Sequence, residues 1–184
     1  MEAYKKRYTI AALVDNEAGV LSQVSHLFSR KGYNIETLAV GCTDDPTVSR
    51  ITIEILTDYD HVRLLCNQLR KLIAVHSVKL LDPSDSLRRE LVLIKVSAPD
   101  RGTRDEIIQI GNIFRASIID ISSSTLTLSL IGDETKTEAI ERLLTDFGIL
   151  ELIRTGIIAI ERGENTINED TKEKGEFNYG KNVL

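Results

Sequence analysis

Asp15-Asn16-Glu17-Ala18-Gly19-Val20-Leu21 joins a strand pattern to a helix pattern, and the reading of that join decides the fold. Before it, Tyr8-Thr9-Ile10-Ala11-Ala12-Leu13-Val14 is β-branched and apolar, as a buried strand requires. After it, Val20, Leu21, Val24, Leu27 and Phe28 recur at helical spacing on one stripe. A glycine where the helix begins leaves the first N–H groups uncovered by any Cβ. Those groups are unpaired donors at the positive end of the helix dipole, a setting that suits a small carboxylate. The plainer alternative is that Asp15 or Asn16 caps the helix and Gly19 only turns the chain. Arg30-Lys31-Gly32-Tyr33-Asn34-Ile35, which ends the same helix and opens the next strand, weighs toward the first reading. Asn34 stands at a strand start, where a β-former is expected.

Outward from this join the chain repeats itself once. Strands are expected over Tyr8–Val14, Ile35–Gly41, Ser49–Leu56 and Val75–Leu81, with helices over Val20–Arg30 and His61–Leu72. Thr43-Asp44-Asp45-Pro46-Thr47 supplies the turn of a hairpin. In the strand after it, Ile51, Ile53 and Ile55 face one way and Arg50, Thr52 and Glu54 the other. Such alternation predicts a sheet with one covered face and one that is wet or used for contacts. The second half runs strand Glu90–Val96, helix Thr103–Phe114, strands Ser117–Ile121 and Thr125–Ile131, helix Thr135–Leu144 and strand Ile149–Ile160. Ala98-Pro99-Asp100-Arg101-Gly102 loosely echoes the first join. The expected class is therefore α+β, with two tandem ferredoxin-like βαββαβ domains. Residues 7–82 form the first, 83–89 a linker around Asp82-Pro83-Ser84-Asp85-Ser86, and 90–162 the second. Residues 163–184 are polar and are expected to be a disordered tail.

Composition removes several function classes. The 184 residues carry a formal net charge of −5 and no face-sized cluster of Lys and Arg, which argues against nucleic acid as a partner. No apolar run approaches the ~20 residues that span a bilayer, and no signal-peptide pattern opens the chain, so no membrane role and a cytoplasmic location are expected. Cys42 and Cys66 belong to no CxxC pair, and His26, His61 and His76 are scattered, so no metal site is expected. Neither a P-loop, a GxGxxG nor a GxSxG is present, and no catalytic constellation is visible. Asp44-Asp45 reads as turn chemistry, and Asp58-Tyr59-Asp60 as a helix cap. The balance favours a binding or regulatory module.

The segments Asn16–Leu21, Arg30–Leu38 and Thr43–Pro46 together resemble the small regulatory subunits of acetolactate synthase (acetohydroxyacid synthase). The resemblance runs from Tyr8 to about Gly163 and includes Glu90–Val96, Ile113–Ala116 and Arg154–Ile158. Gly41-Cys42 and the length of the tail depart from the family's usual pattern. The resemblance implies that the first half is an ACT domain, a module that binds small effectors. It implies a partner, the large catalytic subunit, which holds thiamine diphosphate, Mg²⁺ and FAD and joins two 2-oxo acids with loss of CO₂. This chain would then bind no cofactor and carry no catalytic residue; it would raise the partner's activity and confer feedback inhibition by a branched-chain amino acid, valine foremost. The implied site is Asn16, Glu17, Ala18, Gly19, Val20 and Leu21 of one copy, facing Asn34 and Ile35 of a second copy in a homodimer formed through the ACT domains. N–H groups around Gly19 would take the effector carboxylate, and the Asn16 and Asn34 side-chain oxygens would take its ammonium. The alternatives are a free-standing ACT-type amino-acid sensor for another enzyme or transcription factor, and a small ferredoxin-like enzyme acting alone.

Overall fold

The computed structural model describes residues 5–170; residues 171–184 of the expected tail lie outside them. In chain order the elements are β1 (Lys6–Asp15), α1 (Val20–Arg30), β2 (Thr37–Cys42), β3 (Val48–Thr57), α2 (Tyr59–Leu69) and β4 (Val75–Leu81). A 3₁₀ turn, Pro83–Asp85, leads into β5 (Ser86–Ser97), α3 (Arg101–Ile113), β6 (Ser117–Ile121), β7 (Thr125–Gly132), α4 (Glu134–Thr145), β8 (Ile149–Arg154) and β9 (Ile158–Glu161). The first sheet has the order β2-β3-β1-β4 and the second β6-β7-β5-β8, all neighbours antiparallel. The βαββαβ unit therefore occurs twice. Even an irregularity is repeated: β1 slips register against β4 at Leu13/Val14, and β5 slips against β8 at Lys95/Val96.

Each unit buries its own core between sheet and helices. Val20, Val24, Leu27 and Phe28 of α1 and Val62, Leu65 and Leu69 of α2 pack on Ile10, Ala12, Ile51, Ile53 and Ile55. In the second unit Ile107, Ile140 and Leu144 pack on Val92, Ile94, Leu126, Leu128 and Leu130. A side chain buried as completely as Ile53 or Leu128 contributes roughly 1.5–3 kcal/mol each. These faces follow from the period-2 and period-3.6 patterns alone.

Three expectations are corrected. Residues 83–89 are not a linker throughout, because Ser86–Arg89 are the first rungs of β5 and pair with β9 from Ser86↔Glu161 to Arg89↔Ile158. The strand expected over Ile149–Ile160 is two strands, broken at Gly156, whose φ of +79° takes the chain out of extended geometry. The start of the tail is ordered: Gly163 is followed by a 3₁₀ turn, Ile167–Asp170, and Ile167 is 6% exposed. These departures share a cause. β9 and Ile167 fold back over the outer face of the first sheet, where Ala11, Leu13 and Leu81 meet Ile157, Ala159 and Ile167. The face carrying Arg50, Thr52 and Glu54 is thus covered, with Thr52 2% and Glu54 0% exposed. Arg50 Nη2 donates to the Ala159 carbonyl at 2.7 Å, and Lys79 pairs with Glu161 at 2.9 Å. Among the described residues no helix is long and apolar enough to cross a membrane.

Candidate functional site

The join at Asp15–Leu21 is held from behind by five contacts. Asp15 N–H donates to the Ala74 carbonyl at 2.8 Å, and Asp15 Oδ1 lies 2.7 Å from His76 Nε2. Asn16 N–H donates to the Thr47 carbonyl at 2.7 Å, and its side-chain amide donates to the Pro46 carbonyl at 2.9 Å. The Asn16 Oδ1 accepts from Ser49 Oγ at 3.0 Å. The Asn16 side chain therefore ties the join to the β2–β3 hairpin. Its oxygen accepts from Ser49 and keeps a second lone pair, so this tie positions the join and leaves the expected ammonium contact open. The hairpin supporting it is itself braced by Asp45, which accepts from the Thr47 N–H at 2.9 Å and the Thr47 hydroxyl at 2.7 Å. Those two bonds, the hydroxyl's first, hold the Asp45 carboxyl below its ordinary range.

Glu17, Ala18 and Gly19 are exposed, Val20 is buried in the core, and Leu21 is 43% exposed. Gly19 is the residue before α1 and has φ +91°, a left-handed conformation that glycine adopts without strain. An ideal Cβ at Gly19 would meet nothing within 4 Å, so the space over the helix start is open. No side chain caps α1, and no acid lies in its first turn. The N–H groups of Leu21 and Ser22 meet no acceptor among the described residues. The other three α-helices are capped by their own carboxylates: Asp58 accepts from His61 N–H, Asp100 from Thr103 N–H and Asp133 from Lys136 N–H, each at 3.0 Å. The donors that a carboxylate would satisfy are thus left vacant at α1 alone among these helices.

Asn34 and Ile35 lie in the segment after α1, just ahead of β2, which begins at Thr37 rather than at Ile35. The Asn34 amide donates to Glu36 Oε1 at 2.9 Å, and its oxygen receives no donor among the described residues. An acceptor oxygen and the Glu36 carboxylate are therefore side by side, a pairing that suits an ammonium group. Tyr33 beneath them packs edge-on to His61, with ring centroids 6.2 Å apart, and burial followed by the Asp58 charge pushes its phenol up. Gly19 and Asn34 sit at opposite ends of the eleven-residue α1. At 1.5 Å of rise per residue they are roughly 16 Å apart, too far for one small amino acid to touch both within one chain. A shared ligand requires the Gly19 end of one copy to meet the Asn34 end of another.

Two grooves lie elsewhere. One of about 480 Å³, lined by Val40, Arg50, Leu87, Ile158 and Ile160 among others, runs between β2 and the β5–β9 ribbon. The second, of about 540 Å³, lies by Asp44, Asp45, His76 and Ile167. Neither is lined by Gly19 or Asn34. The residues that sequence reasoning missed are Ser49, Thr47 and His76; the turn signal of Thr43–Thr47 was the only trace of them.

Comparison with known proteins matches residues 10–77 to a family model described as an AHAS small subunit-like ACT domain. Residues 89–163 match one described as the small subunit of acetolactate synthase. A probable acetolactate synthase small subunit of Methanothermobacter thermautotrophicus is 44% identical over 160 residues, 87% of this chain and 95% of that one. The acetolactate synthase small subunit of Mycobacterium leprae is 42% identical over 160 residues, 87% of this chain and 94% of that one. A crystal structure of the acetolactate synthase small subunit from Thermotoga maritima superimposes with a TM-score of 0.80 at 34% identity, covering 87% of this chain and 99% of its own.

Proposed function

Because the chain belongs to the acetolactate synthase small-subunit family, we propose that it is the regulatory chain of that enzyme in branched-chain amino-acid biosynthesis, raising the activity of a large catalytic subunit and imposing feedback inhibition by valine or a close relative. In this reading thiamine diphosphate, Mg²⁺ and FAD belong to the large subunit, this chain carries no catalytic group, and the complex works in the cytoplasm. The observation that carries the effector reading is the uncapped, open start of α1 at Gly19, beside three helices that cap themselves. An effector carboxylate occupies that helix start; the Asn34 oxygen and Glu36 of a second copy take its ammonium. Leu21, partly exposed beside the opening, offers apolar surface to a branched side chain.

The site is therefore completed by a homodimer through the first units. β2 is an edge strand of the first sheet, so a second copy can be placed beside it by strand addition. Because the ligand then bridges two chains, its binding favours one quaternary arrangement over another, which is the energetic requirement for allosteric control.

The test is reconstitution. This chain alone is expected to form no acetolactate from pyruvate, to raise the rate of its large subunit when mixed with it, and to make that rate sensitive to valine. Condensation of pyruvate by this chain alone would overturn the reading, and failure to co-purify with a thiamine-diphosphate enzyme would favour a free-standing sensor.

A further inference from the structure

Glu54 is fully buried, yet it belongs to the polar face of β3. A carboxylate out of contact with water persists only when it is paired and hydrogen-bonded. Its Oε1 takes the Thr9 hydroxyl at 3.0 Å and the guanidinium of Arg88, and its Oε2 takes the Thr37 hydroxyl at 3.2 Å. Arg88 comes from the first rungs of β5, where it pairs with Ala159 of β9. Thr37 is the first residue of β2 and follows Glu36, whose N–H donates to the Glu54 carbonyl at 2.8 Å. A second contact reaches the same place: Gly156, in the break between β8 and β9, lies so close that a Cβ there would stand 3.4 Å from Thr37 Cβ and 3.5 Å from the Leu38 N and O. The later half of the chain thus reaches Thr37 directly at Gly156 and, through Glu54, from Arg88. The loop that offers Asn34 and Glu36 is anchored to it.

We infer that the second half of the chain positions the Asn34–Glu36 loop through a buried junction, Arg88 to Glu54 to Thr37, and that effector occupancy is read by the second half through this junction. The positional half of the inference stands on the contacts alone; the effector half rests on the function proposed above. Breaking the junction would leave Glu54 buried without its charge partner, a cost that holds it closed in the folded chain. An effector that pulls on Asn34 and Glu36 pulls on the residue that carries the Thr37 hydroxyl, and with it on the partner of Arg88. Arg88, Glu54 and Thr37 are positioning residues, since none of them is placed to touch the ligand.

Two variants of the full chain test this, Thr37→Val, which removes one hydroxyl and keeps the charge pair, and Arg88→Met combined with Glu54→Gln, which removes both charges together. Hydrogen exchange in the free chain reads the positional half. The Glu36 amide is expected to exchange about tenfold faster or more in each variant, the loss of a hydrogen bond to a charged group. In the complex with the large subunit, calorimetry with valine and an inhibition titration read the effector half. Maximal inhibition at saturating valine is expected to fall in each variant, while the stoichiometry of valine binding stays that of the wild type. Arg88→Lys, which keeps a donor for Glu54, is expected to recover part of that inhibition. Wild-type exchange at Glu36 in both variants overturns the junction. Full inhibition at saturating valine in both variants overturns it as well. If the wild-type chain binds none of valine, leucine or isoleucine, the effector reading falls and the exchange rate alone decides the positional one.

Discussion

The two βαββαβ units share strand order, helix placement and even the position of a register slip, yet they differ at two surfaces. The first helix of the first unit starts bare at Gly19, whereas its counterpart α3 is closed by Asp100, which accepts from both the N–H and the hydroxyl of Thr103. The outer face of the first sheet is roofed by β9 and Ile167, whereas that of the second stays open, with Ile131 63% and Ile153 53% exposed. The fold itself therefore assigns no ligand. The second unit fills with Asp100 the helix start that the first leaves uncapped, and an uncapped start is the one with donors to offer an anion.

The strongest way to break this comparison is to close the open site. Gly19→Asp places a carboxylate where the effector's own would sit, at a position whose Cβ has room and whose φ of +91° an Asp tolerates better than most side chains. Valine affinity is expected to fall by at least about a hundredfold, the scale set by a lost charge-assisted contact plus repulsion. In the proposed reading, activation of the large subunit should persist in this variant. Retained valine sensitivity in the reconstituted complex would show that the Gly19 donors are not the anion site.

A smaller effect is expected at the other half of the proposed site. Asn34→Ala removes a hydrogen bond to a charged group, worth about 1.5–3 kcal/mol, so effector affinity should weaken roughly ten- to over a hundredfold. The fold should hardly notice, because Asn34 is exposed and its one bond is to Glu36. Calorimetry and a denaturant melt of the same variant separate the outcomes. An unchanged dissociation constant with a lowered midpoint would make Asn34 a turn-former and leave Glu36 as the ammonium contact.

The smallest effect lies in the second unit. Asp100→Ala uncaps α3 and should lower the melting temperature by about 2–4 °C, with no change in valine stoichiometry. A second valine per chain would sharpen the comparison, because the cap alone would then be what closes the site. Acid should do the same as the substitution. The helix N–H groups that Asp58 and Asp100 accept are the first cause of both carboxyls lying below their ordinary range. A carboxyl depressed in the folded state supports the fold above its unfolded value of about 4, and that support is lost as pH falls through the lower folded value. Protection of the His61 and Thr103 amides should therefore decline below about pH 4, in a step absent from Asp58→Ala and Asp100→Ala.

Much of this organisation is legible in the residues. The triplets Ile51, Ile53, Ile55 and Leu126, Leu128, Leu130 announce both core faces, and Gly19 before a helical stripe announces the bare helix start. The roof over the first sheet is not legible, because Arg50, Thr52 and Glu54 alternate in the same way whether they face water or a covering strand. Ile149–Ile160 is rich in β-formers on both sides of Gly156, so one glycine was the only mark of the break into two strands. Ile167 is a lone apolar residue in a polar run, and nothing local distinguishes a buried anchor from a tail. The ties of Asn16 are hidden for a related reason: an asparagine beside a glycine turn has the same local signature whether or not it ties loops together, and its partners Ser49 and Pro46 lie 33 and 30 positions away along the chain.

β5 has a consequence of another kind. A single twelve-residue strand pairs with β9 over the first unit and then with β7 and β8 in the second. The two halves look like beads that could be unstrung, shuffled into other proteins or expressed apart, but the string is part of both beads. A piece ending at Leu81 would carry Ala11, Leu13 and Leu81 bare to solvent and Glu54 without Arg88. The first unit therefore cannot be traded separately without first replacing that roof.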